Sequence, residues 1–154
     1  MIDPRRLLQA AHTILLVDWP STSVPRALIS AGFTVLGYSP GRYSKAEVVL
    51  QRPEDDESVK VFPPKHDETG YLVFRRLDGW PSTADIICVY RPAEELPGIL
   101  ADHGRTLGAK AVWLQRPATS AQERVLVEEH GLIFVEDCDI AETARTLRKA
   151  ELQE

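Results

Sequence analysis

Continuous apolar runs alternate along the chain with segments of helical periodicity. The first run, residues 13–18, is β-branched and apolar until its last residue, which is typical of a parallel strand buried on both faces. Hydroxyl residues within 20–23 then suit a helix N-cap, apolar positions recur until Gly32, and a second strand pattern follows over 33–38. These elements predict a βαβ unit, whose crossover is nearly always right-handed.

The second half of the chain repeats this pattern. Strands are predicted over 85–90, 111–115 and 132–135, and helices over about 96–107, 120–130 and 140–149. The alternation predicts an α/β protein with a Rossmann-like, three-layer sandwich, in which helices cover both sides of a mostly parallel, doubly wound sheet. Because the 154 residues match one ordinary domain, we expect residues 1–154 to form a single domain.

The stretch from about 43 to 70 breaks the alternation and is interpreted as an inserted hairpin or loop. Two short apolar runs, 48–50 and 59–62, flank an acidic turn at 54–57 and have the pattern of two paired strands. A mobile loop is the alternative. The acidic turn is interpreted as a solvated tip, since exposed loops commonly carry such charges. A further strand is expected over 71–74.

Charge and cysteine usage exclude several classes of protein. The formal net charge is −5, the pI is near 5.4, and no block of Lys and Arg provides the electrostatic surface that nucleic acid requires. The apolar runs are far shorter than the ~20 residues that cross a bilayer, and no signal-type segment precedes the first strand, so we expect a cytoplasmic protein without a membrane partner. Cys88 and Cys138 lack metal-ligand spacing and are interpreted as reduced thiols, with no metal site.

The candidate ligand contacts are residues that directly follow the strands. Ligands of doubly wound sheets bind at the carboxyl ends of the strands, which is where these residues lie. Three features there suit phosphate: the amides that begin the first long helix, the hydroxyls of residues 21–23, and the guanidinium groups of Arg42 and Arg91. Trp19 is expected either to stack on an adenine or to cover the core. The fingerprint G-x-G-x-x-G is absent after the first strand, which argues against NAD, and no nucleophile elbow, Walker loop or zinc-helix motif indicates catalysis.

Several segments carry a resemblance to a known family. They are Pro20-Ser21, residues 31–35, Ser39-Pro40, residues 77–86, Tyr90-Arg91 with Leu96-Pro97, the stretch Gly-Ala-Lys-Ala-Val-Trp-Leu-Gln at 108–115, and Gly131-Leu132 through Cys138 to Glu142. With these segments in order, the chain resembles the small stand-alone CoA-binding domain proteins, which are similar to the CoA-binding domain of succinyl-CoA ligase alpha subunits. The likeness covers nearly the whole chain outside 43–70.

The resemblance implies a Rossmann-like domain that holds coenzyme A through its nucleotide end, generally without catalytic residues. The contacts that we predict for CoA or an acyl-CoA are Trp19, Pro20, Ser21, Thr22, Ser23, Ser39, Pro40, Arg42, Tyr90 and Arg91. The adenosine is expected between Trp19 and the turn at 39–40, with phosphates near residues 21–23 and Arg42. The family pattern carries a glycine soon after the first strand, whereas this chain has Asp18, whose carboxylate is expected to repel phosphate.

Two alternatives to CoA binding stay open. In the first alternative, the domain is an interaction or regulatory module whose ligand site has degenerated. The acidic insertion and the last helix would then mediate assembly, for example as a homodimer. In the second alternative it is an enzyme that uses Cys138 with the neighbouring carboxylates of Glu136 or Asp137. Carboxylates beside a cysteine disfavour its thiolate, so the enzymatic alternative is the weaker of the two.

Overall fold

The computed structural model describes residues 3–39, 42–54, 58–66, 68–77, 83–104, 107–115, 121–136 and 138–153. Its strands are β1 (Thr13–Val17), β2 (Thr34–Ser39), β3 (Arg42–Val49), β4 (Ser58–Phe62), β5 (Tyr71–Arg76), β6 (Ile86–Val89), β7 (Ala111–Leu114) and β8 (Ile133–Glu136). Its α-helices are α1 (Pro4–Ala10), α2 (Ser23–Ser30), α3 (Leu96–Ile99), α4 (Ala121–Glu129) and α5 (Ile140–Gln153). A 3₁₀ turn, Ala93–Glu95, precedes α3, and a π-helical segment, Leu100–Gly104, continues it.

The eight strands form one sheet in the order β4-β5-β3-β2-β1-β6-β7-β8. The parallel half consists of β2, β1, β6, β7 and β8, in which each strand is parallel to its neighbours. All four residues of β6 and all four of β7 are buried, as their continuous apolar sequences predict. The predicted Rossmann-like α/β fold is therefore confirmed, with the chain running outward from β1 first to β2 and later to β6.

The antiparallel extension consists of β3, β4 and β5. β3 pairs with β2, and β5 lies between β3 and β4. The two short apolar runs of the insertion do form strands, but the predicted pairing between them is wrong. Three consecutive residues of β5, Leu72, Val73 and Phe74, are almost fully buried. The more apolar strand therefore takes the inner position and leaves β4 at the edge; residues 55–57 of the acidic turn lie outside the described residues.

Two hydrophobic cores lie on opposite faces of the sheet. Successive residues of β1 alternate between them, with Leu16 in one core and Leu15 in the other. Helices α1, α2 and α5 cover the first face through Leu8, Leu28 and Ala144, whereas α3 and α4 cover the second through Leu96 and Val127. These layers are the predicted three-layer sandwich.

The segment after β6 differs from the single helix predicted for 96–107. Leu96–Ile99 is α-helical, Leu100–Gly104 is π-helical, and Leu107 follows as a buried residue of the second core. Cys88 is fully buried, as its position in an apolar run predicts, and burial raises the pKa of its thiol well above the ordinary value. Among the described residues there is no helix long and apolar enough to cross a membrane.

Candidate functional site

A cavity of about 810 Å³ opens at the carboxyl edge of the sheet, beside the ends of β1, β2 and β6. Val17 and Tyr38 are register partners at the ends of β1 and β2, and both line it. Its described lining consists of Val17, Asp18, Trp19, Tyr38, Lys60, Arg91, Glu94, Glu95, Gly98, Ile99, Asp102 and His103. The chain leaves β1 toward β2 on one side and later adds β6 on the other, so the cavity lies at the topological switch point.

Asp18 shapes the turn that follows β1. Its φ of 69° lies in the left-handed region, where aspartate is tolerated better than most side chains. The carboxylate Oδ1 accepts a hydrogen bond from the backbone N–H of Trp19 at 2.9 Å. The other oxygen, Oδ2, lies 3.4 Å from Nη1 of Arg91. Asp18 thus connects the end of β1 to the residue that follows the end of β6.

Arg91 is held by two carboxylates. Its Nη2 lies 2.8 Å from Oε2 of Glu95, and its Nε donates to the same carboxylate, while Nη1 reaches Asp18. Hydrogen bonds to Glu95 and Asp18 raise the pKa of Arg91. All three side chains are about half exposed, so each ion pair contributes little to stability. A phosphate that binds Arg91 must nevertheless displace or share these carboxylates.

The described lining carries more acids than permanent cations. Asp18, Glu94, Glu95 and Asp102 supply four carboxylates, against Lys60 and Arg91. This imbalance supports the expectation that the turn after β1 disfavours a highly charged anion.

Trp19 contributes both to the core and to the cavity. Its indole stacks on Phe74 with a centroid distance of 4.6 Å and an interplanar angle of 8°. Phe74 is close to Gly37 of β2, where a Cβ atom would lie 3.1 Å from the phenyl ring. The Nζ of Lys60 lies 6.0 Å from the centroid of the indole. Trp19 is half-buried against the first core and also lines the cavity, so both predicted roles are compatible with its position.

A cluster of three aromatic rings adjoins the cavity: Tyr38 and His103 line it, and Tyr43 contacts both of them. Tyr38 and Tyr43 come from β2 and β3, and His103 comes from the π-helical segment. The Tyr38 and His103 rings meet edge to face with centroids 4.3 Å apart, and the Tyr43 hydroxyl is hydrogen-bonded to Nδ1 of His103. Burial, with smaller contributions from Tyr38 and Asp102, raises the pKa of Tyr43 to about 12. Burial lowers the pKa of His103, although Asp102 opposes the shift, so both groups are neutral at pH 7.

Among the predicted contacts whose side chains the structure describes, Trp19 and Arg91 line this cavity. The residues between Trp19 and α2 form a local turn, in which Ser21 Oγ accepts from the backbone N–H of Ser23 at 3.0 Å. Thr22 is the N-cap of α2 but its side chain makes no capping hydrogen bond, so the helix start is closed by Ser21 instead. Pro20 and Ser21 are exposed, and Ser23 lines a separate groove of about 660 Å³ beside α2.

Tyr90 is half-buried and packs against the first core rather than lining the cavity. Its hydroxyl donates to Gln115 Oε1 at 3.3 Å, and Gln115 also binds the backbone at Cys138 and Ile140. Ser39 and Arg42 pair through their backbones at the β2–β3 turn, where their side chains lie outside the described part of the molecule, as does Pro40. Ligand contacts at these positions stay predictions.

Four residues in or beside the cavity are not among the predicted ligand contacts: Tyr38, Tyr43, Lys60 and His103. Lys60 and Tyr43 belong to the antiparallel extension, whose pairing the sequence did not predict. His103 follows the apolar spacing of the segment after β6 in the sequence, and it is buried, being 2% exposed. Its contacts with Tyr38 and Tyr43 come from β2 and β3, so they are not encoded in its own segment. Cys138 is half-buried, its Sγ is 3.3 Å from Thr143 Oγ1, and it is not among the described lining residues.

Comparison with solved structures gives the same fold. The crystal structure of Prb, the PH1109 protein redesigned for binding, is similar with a TM-score of 0.59 and 18% sequence identity, covering 93% of this chain and 88% of that chain. The structure of cell-free ID.343 from Thermus thermophilus is similar with a TM-score of 0.54 and 25% identity, covering 93% of this chain and 95% of that chain. The family model of the CoA binding domain matches residues 17–144, which confirms the resemblance. With the Rossmann-like sheet and the cavity at its switch point, this match shows that the chain belongs to the CoA-binding domain family.

Proposed function

We propose that this domain binds coenzyme A or an acyl-CoA, without converting it, in the cavity at the carboxyl edge of the sheet. The observation that carries the proposal is the position of that cavity: in a member of the CoA-binding domain family, it opens at the switch point where doubly wound sheets bind nucleotides. Its volume of about 810 Å³ lies within the range of small-molecule sites.

We propose that the cavity has a nucleotide end and an inner end. Trp19 offers an aromatic surface for an adenine, and Lys60 and Arg91 offer cations for phosphates. Val17, Tyr38 and Ile99 give the inner end an apolar character suited to the uncharged arm of CoA. The turn at 20–23 and the residues Ser39, Pro40, Arg42 and Tyr90 are retained as proposed outer contacts.

Binding without reaction is supported by the chemistry of the lining. Among its described residues there is no serine, threonine or cysteine that would accept an acyl group. Cys138 lies elsewhere, beside Thr143 at the start of α5. We propose a ligand carrier or sensor here rather than an acyltransferase that works through an acyl-serine or acyl-cysteine.

A substitution at Gly98 tests the location of the site. Gly98 lines the cavity, and a Cβ at this position would meet no atom within 4 Å, so Gly98→Trp is expected to fill the cavity without strain in the fold. Val125→Trp is the matched control, because Val125 is 52% exposed on α4. Isothermal titration should show micromolar binding of CoA or acetyl-CoA to the wild type and to Val125→Trp, and loss of binding in Gly98→Trp.

Thermal unfolding provides a second measurement. CoA present at 100 times its dissociation constant should stabilise the wild type by about 2.7 kcal/mol. Absence of heat and of stabilisation with CoA, acetyl-CoA and a long-chain acyl-CoA would reject the proposal. If the wild type and Gly98→Trp bind CoA with equal affinity, the proposed location of the site is rejected but CoA binding itself is not.

A second candidate function is an interaction or regulatory domain of the same fold with a degenerate ligand site. Two observations favour it: the two carboxylates that hold Arg91, and the exposed apolar side chains of Leu50 and Val48, which are 79% and 37% exposed at the end of β3. This function predicts that the wild type sediments as a dimer and that Leu50→Asp sediments as a monomer. It also predicts that neither protein binds CoA. A monomeric wild type would argue against it.

A further inference from the structure

His103 is a buried polar side chain in the wall of the cavity, and its place on the helix is unusual. It is 2% exposed and belongs to the π-helical segment Leu100–Gly104. π-helical turns are rare and occur frequently at functional sites, because the extra residue changes the direction of the side chains around it. His103 is therefore a buried polar ring within an irregular helical segment of the kind found at functional sites.

The orientation of the His103 ring is fixed from two sides. Tyr38 of β2 packs edge to face against the ring, and the Tyr43 hydroxyl of β3 is hydrogen-bonded to Nδ1. A phenol is a stronger hydrogen-bond donor than a neutral imidazole N–H, and an unprotonated imidazole nitrogen is a stronger acceptor than a phenol oxygen. The favoured arrangement has Tyr43 donating to Nδ1, which leaves the ring proton on Nε2.

We propose that Nε2–H of His103 donates a hydrogen bond to a carbonyl oxygen of the ligand at the inner end of the cavity. The inference rests on the proposed function and adds the group that the inner end recognises. Tyr38 packs against the His103 ring, and the apolar residues Val17 and Ile99 line the same cavity. Asp102 lies next to His103 in sequence and also lines the cavity. A neutral carbonyl suits these surroundings, whereas a phosphate would meet the Asp102 carboxylate.

Two kinds of carbonyl would reach this donor. The uncharged arm of coenzyme A carries amide carbonyls, and an acyl-CoA adds the carbonyl of its thioester. Acetyl-CoA and its thioether analogue S-ethyl-CoA distinguish them, because the two molecules have nearly the same size and the same amides, but S-ethyl-CoA lacks the thioester carbonyl.

Titration of variants tests the hydrogen bond. His103→Phe retains a ring but no donor, and His103→Gln keeps an acceptor for Tyr43 and a donor for the ligand. We expect His103→Phe to bind acetyl-CoA about tenfold more weakly than the wild type, the effect of one lost hydrogen bond, and His103→Gln to recover most of that loss. A weakening for acetyl-CoA alone assigns the thioester carbonyl, and an equal weakening for both ligands assigns an amide.

Nuclear magnetic resonance tests the role of Tyr43 as a positioning residue without depending on affinity. In the ¹⁵N-labelled wild type, the imidazole nitrogens of His103 should show Nδ1 unprotonated and Nε2 protonated, and the ligand should shift the Nε2 resonance. Tyr43→Phe should shift this preference toward the other tautomer while the folded spectrum is retained. A wild-type ring with its proton on Nδ1 would overturn the assignment.

The failure of this inference differs from that of the proposed function. If the wild type binds neither acetyl-CoA nor S-ethyl-CoA, CoA binding and the carbonyl contact are both rejected. If the wild type and folded His103→Phe bind both ligands with equal affinity, CoA binding stands and the contact with His103 is rejected. Should His103→Phe not fold, His103→Gln and the ligand-dependent Nε2 shift in the wild type decide the question.

Discussion

The parallel half and the antiparallel extension meet at β2 and supply different parts of the cavity. The parallel half provides its frame: Val17 and Arg91 at the ends of β1 and β6, with the segment after β6 as one wall. The extension provides Lys60 directly, and it supplies Tyr43 and Phe74 as supports for His103 and Trp19. The buried parallel strands thus fix where the cavity opens, whereas the added strands change which chemical groups line and support it.

The strongest test of the comparison is removal of a core side chain from the parallel half. Trp113 of β7 is fully buried, and its Nε1 donates to the Cys138 carbonyl at 2.6 Å. Trp113→Ala should lower the free energy of unfolding by about 3–5 kcal/mol, because it leaves a large cavity and removes one of the two donors to the Cys138 carbonyl, the other being Gln115 Nε2. Chemical denaturation followed by circular dichroism measures this loss, and a change below about 1 kcal/mol would contradict the assigned burial.

A smaller and more local loss is expected where the extension is attached to α2. The Arg26 guanidinium donates from Nη2 to the carbonyls of Gly70 and Phe62, and its Nε lies 3.5 Å from the Glu68 carboxylate. Arg26→Met should cost about 2–3 kcal/mol, because these acceptors lose a charged donor. Hydrogen exchange should accelerate in β4 and β5 far more than in β6 and β7.

Arg145→Met is the control for that substitution. Arg145 is exposed on α5, with an ion pair to Glu142 at 3.5 Å, so its loss should change stability by less than about 0.5 kcal/mol. Equal acceleration of exchange in both regions of the Arg26 variant would show that the extension and the parallel half open together.

The third test concerns Asp85, which precedes β6 and is hydrogen-bonded to the backbone at the start of β1. Its Oδ2 accepts from the backbone N–H groups of His12 at 2.8 Å and Thr13 at 3.0 Å. Burial alone would raise the pKa of Asp85, but these hydrogen bonds and the positive charge of Lys110 lower it below its usual 3.8. Asp85→Ala should cost about 2 kcal/mol at pH 7.

The sign of the pH dependence follows from the lowered pKa of Asp85. The unfolded chain takes up the proton first, so the contribution of Asp85 is complete above its usual value of 3.8 and is lost as the pH falls from there through the folded pKa. Denaturant titrations of wild type and Asp85→Ala should therefore differ at pH 7 and converge in acid. A difference that grows in acid would contradict the hydrogen bonds to β1.

The smallest effect on stability is expected at Asp18, which follows β1 in the parallel half. Asp18→Gly relieves the left-handed φ of 69° but removes the ion pair to Arg91, so the net change should stay within about 0.5 kcal/mol. On the proposed function, the affinity for CoA should rise several-fold, because Arg91 loses a competing carboxylate. Calorimetric titration measures this change, and an unchanged or lower affinity would show that Asp18 does not compete with the ligand.

The parallel half was predictable because its signals are local. Thr13–Val17, Ile86–Val89 and Ala111–Leu114 are apolar runs buried on both faces, and each was predicted within two residues of its observed bounds. Trp19 and Arg91 were placed at the cavity because they immediately follow such strands. A strand's end is sufficient to locate a residue at the edge of a parallel sheet.

The extension and the inner end of the cavity depend on contacts between distant residues. Whether β4 or β5 pairs with β3 is decided by the burial of Leu72, Val73 and Phe74 against the core, which no short window of sequence contains. His103 enters the cavity wall through a π-helical turn and is oriented by Tyr43, 60 positions earlier in the chain. Neither the pairing nor the turn has a pattern in its own segment.

The strand order also constrains how the nascent chain matures during synthesis. β4 leaves the ribosome before β5, yet in the finished sheet it pairs with β5, which itself pairs with β3. The outer edge of β3 must stay available until residues 71–76 have been made, and early docking of β4 there would be a kinetic trap. Because Arg26 binds carbonyls at both ends of the 62–70 connection, it favours the reversal that brings β5 inside, and its loss should slow refolding as well as weaken the folded sheet.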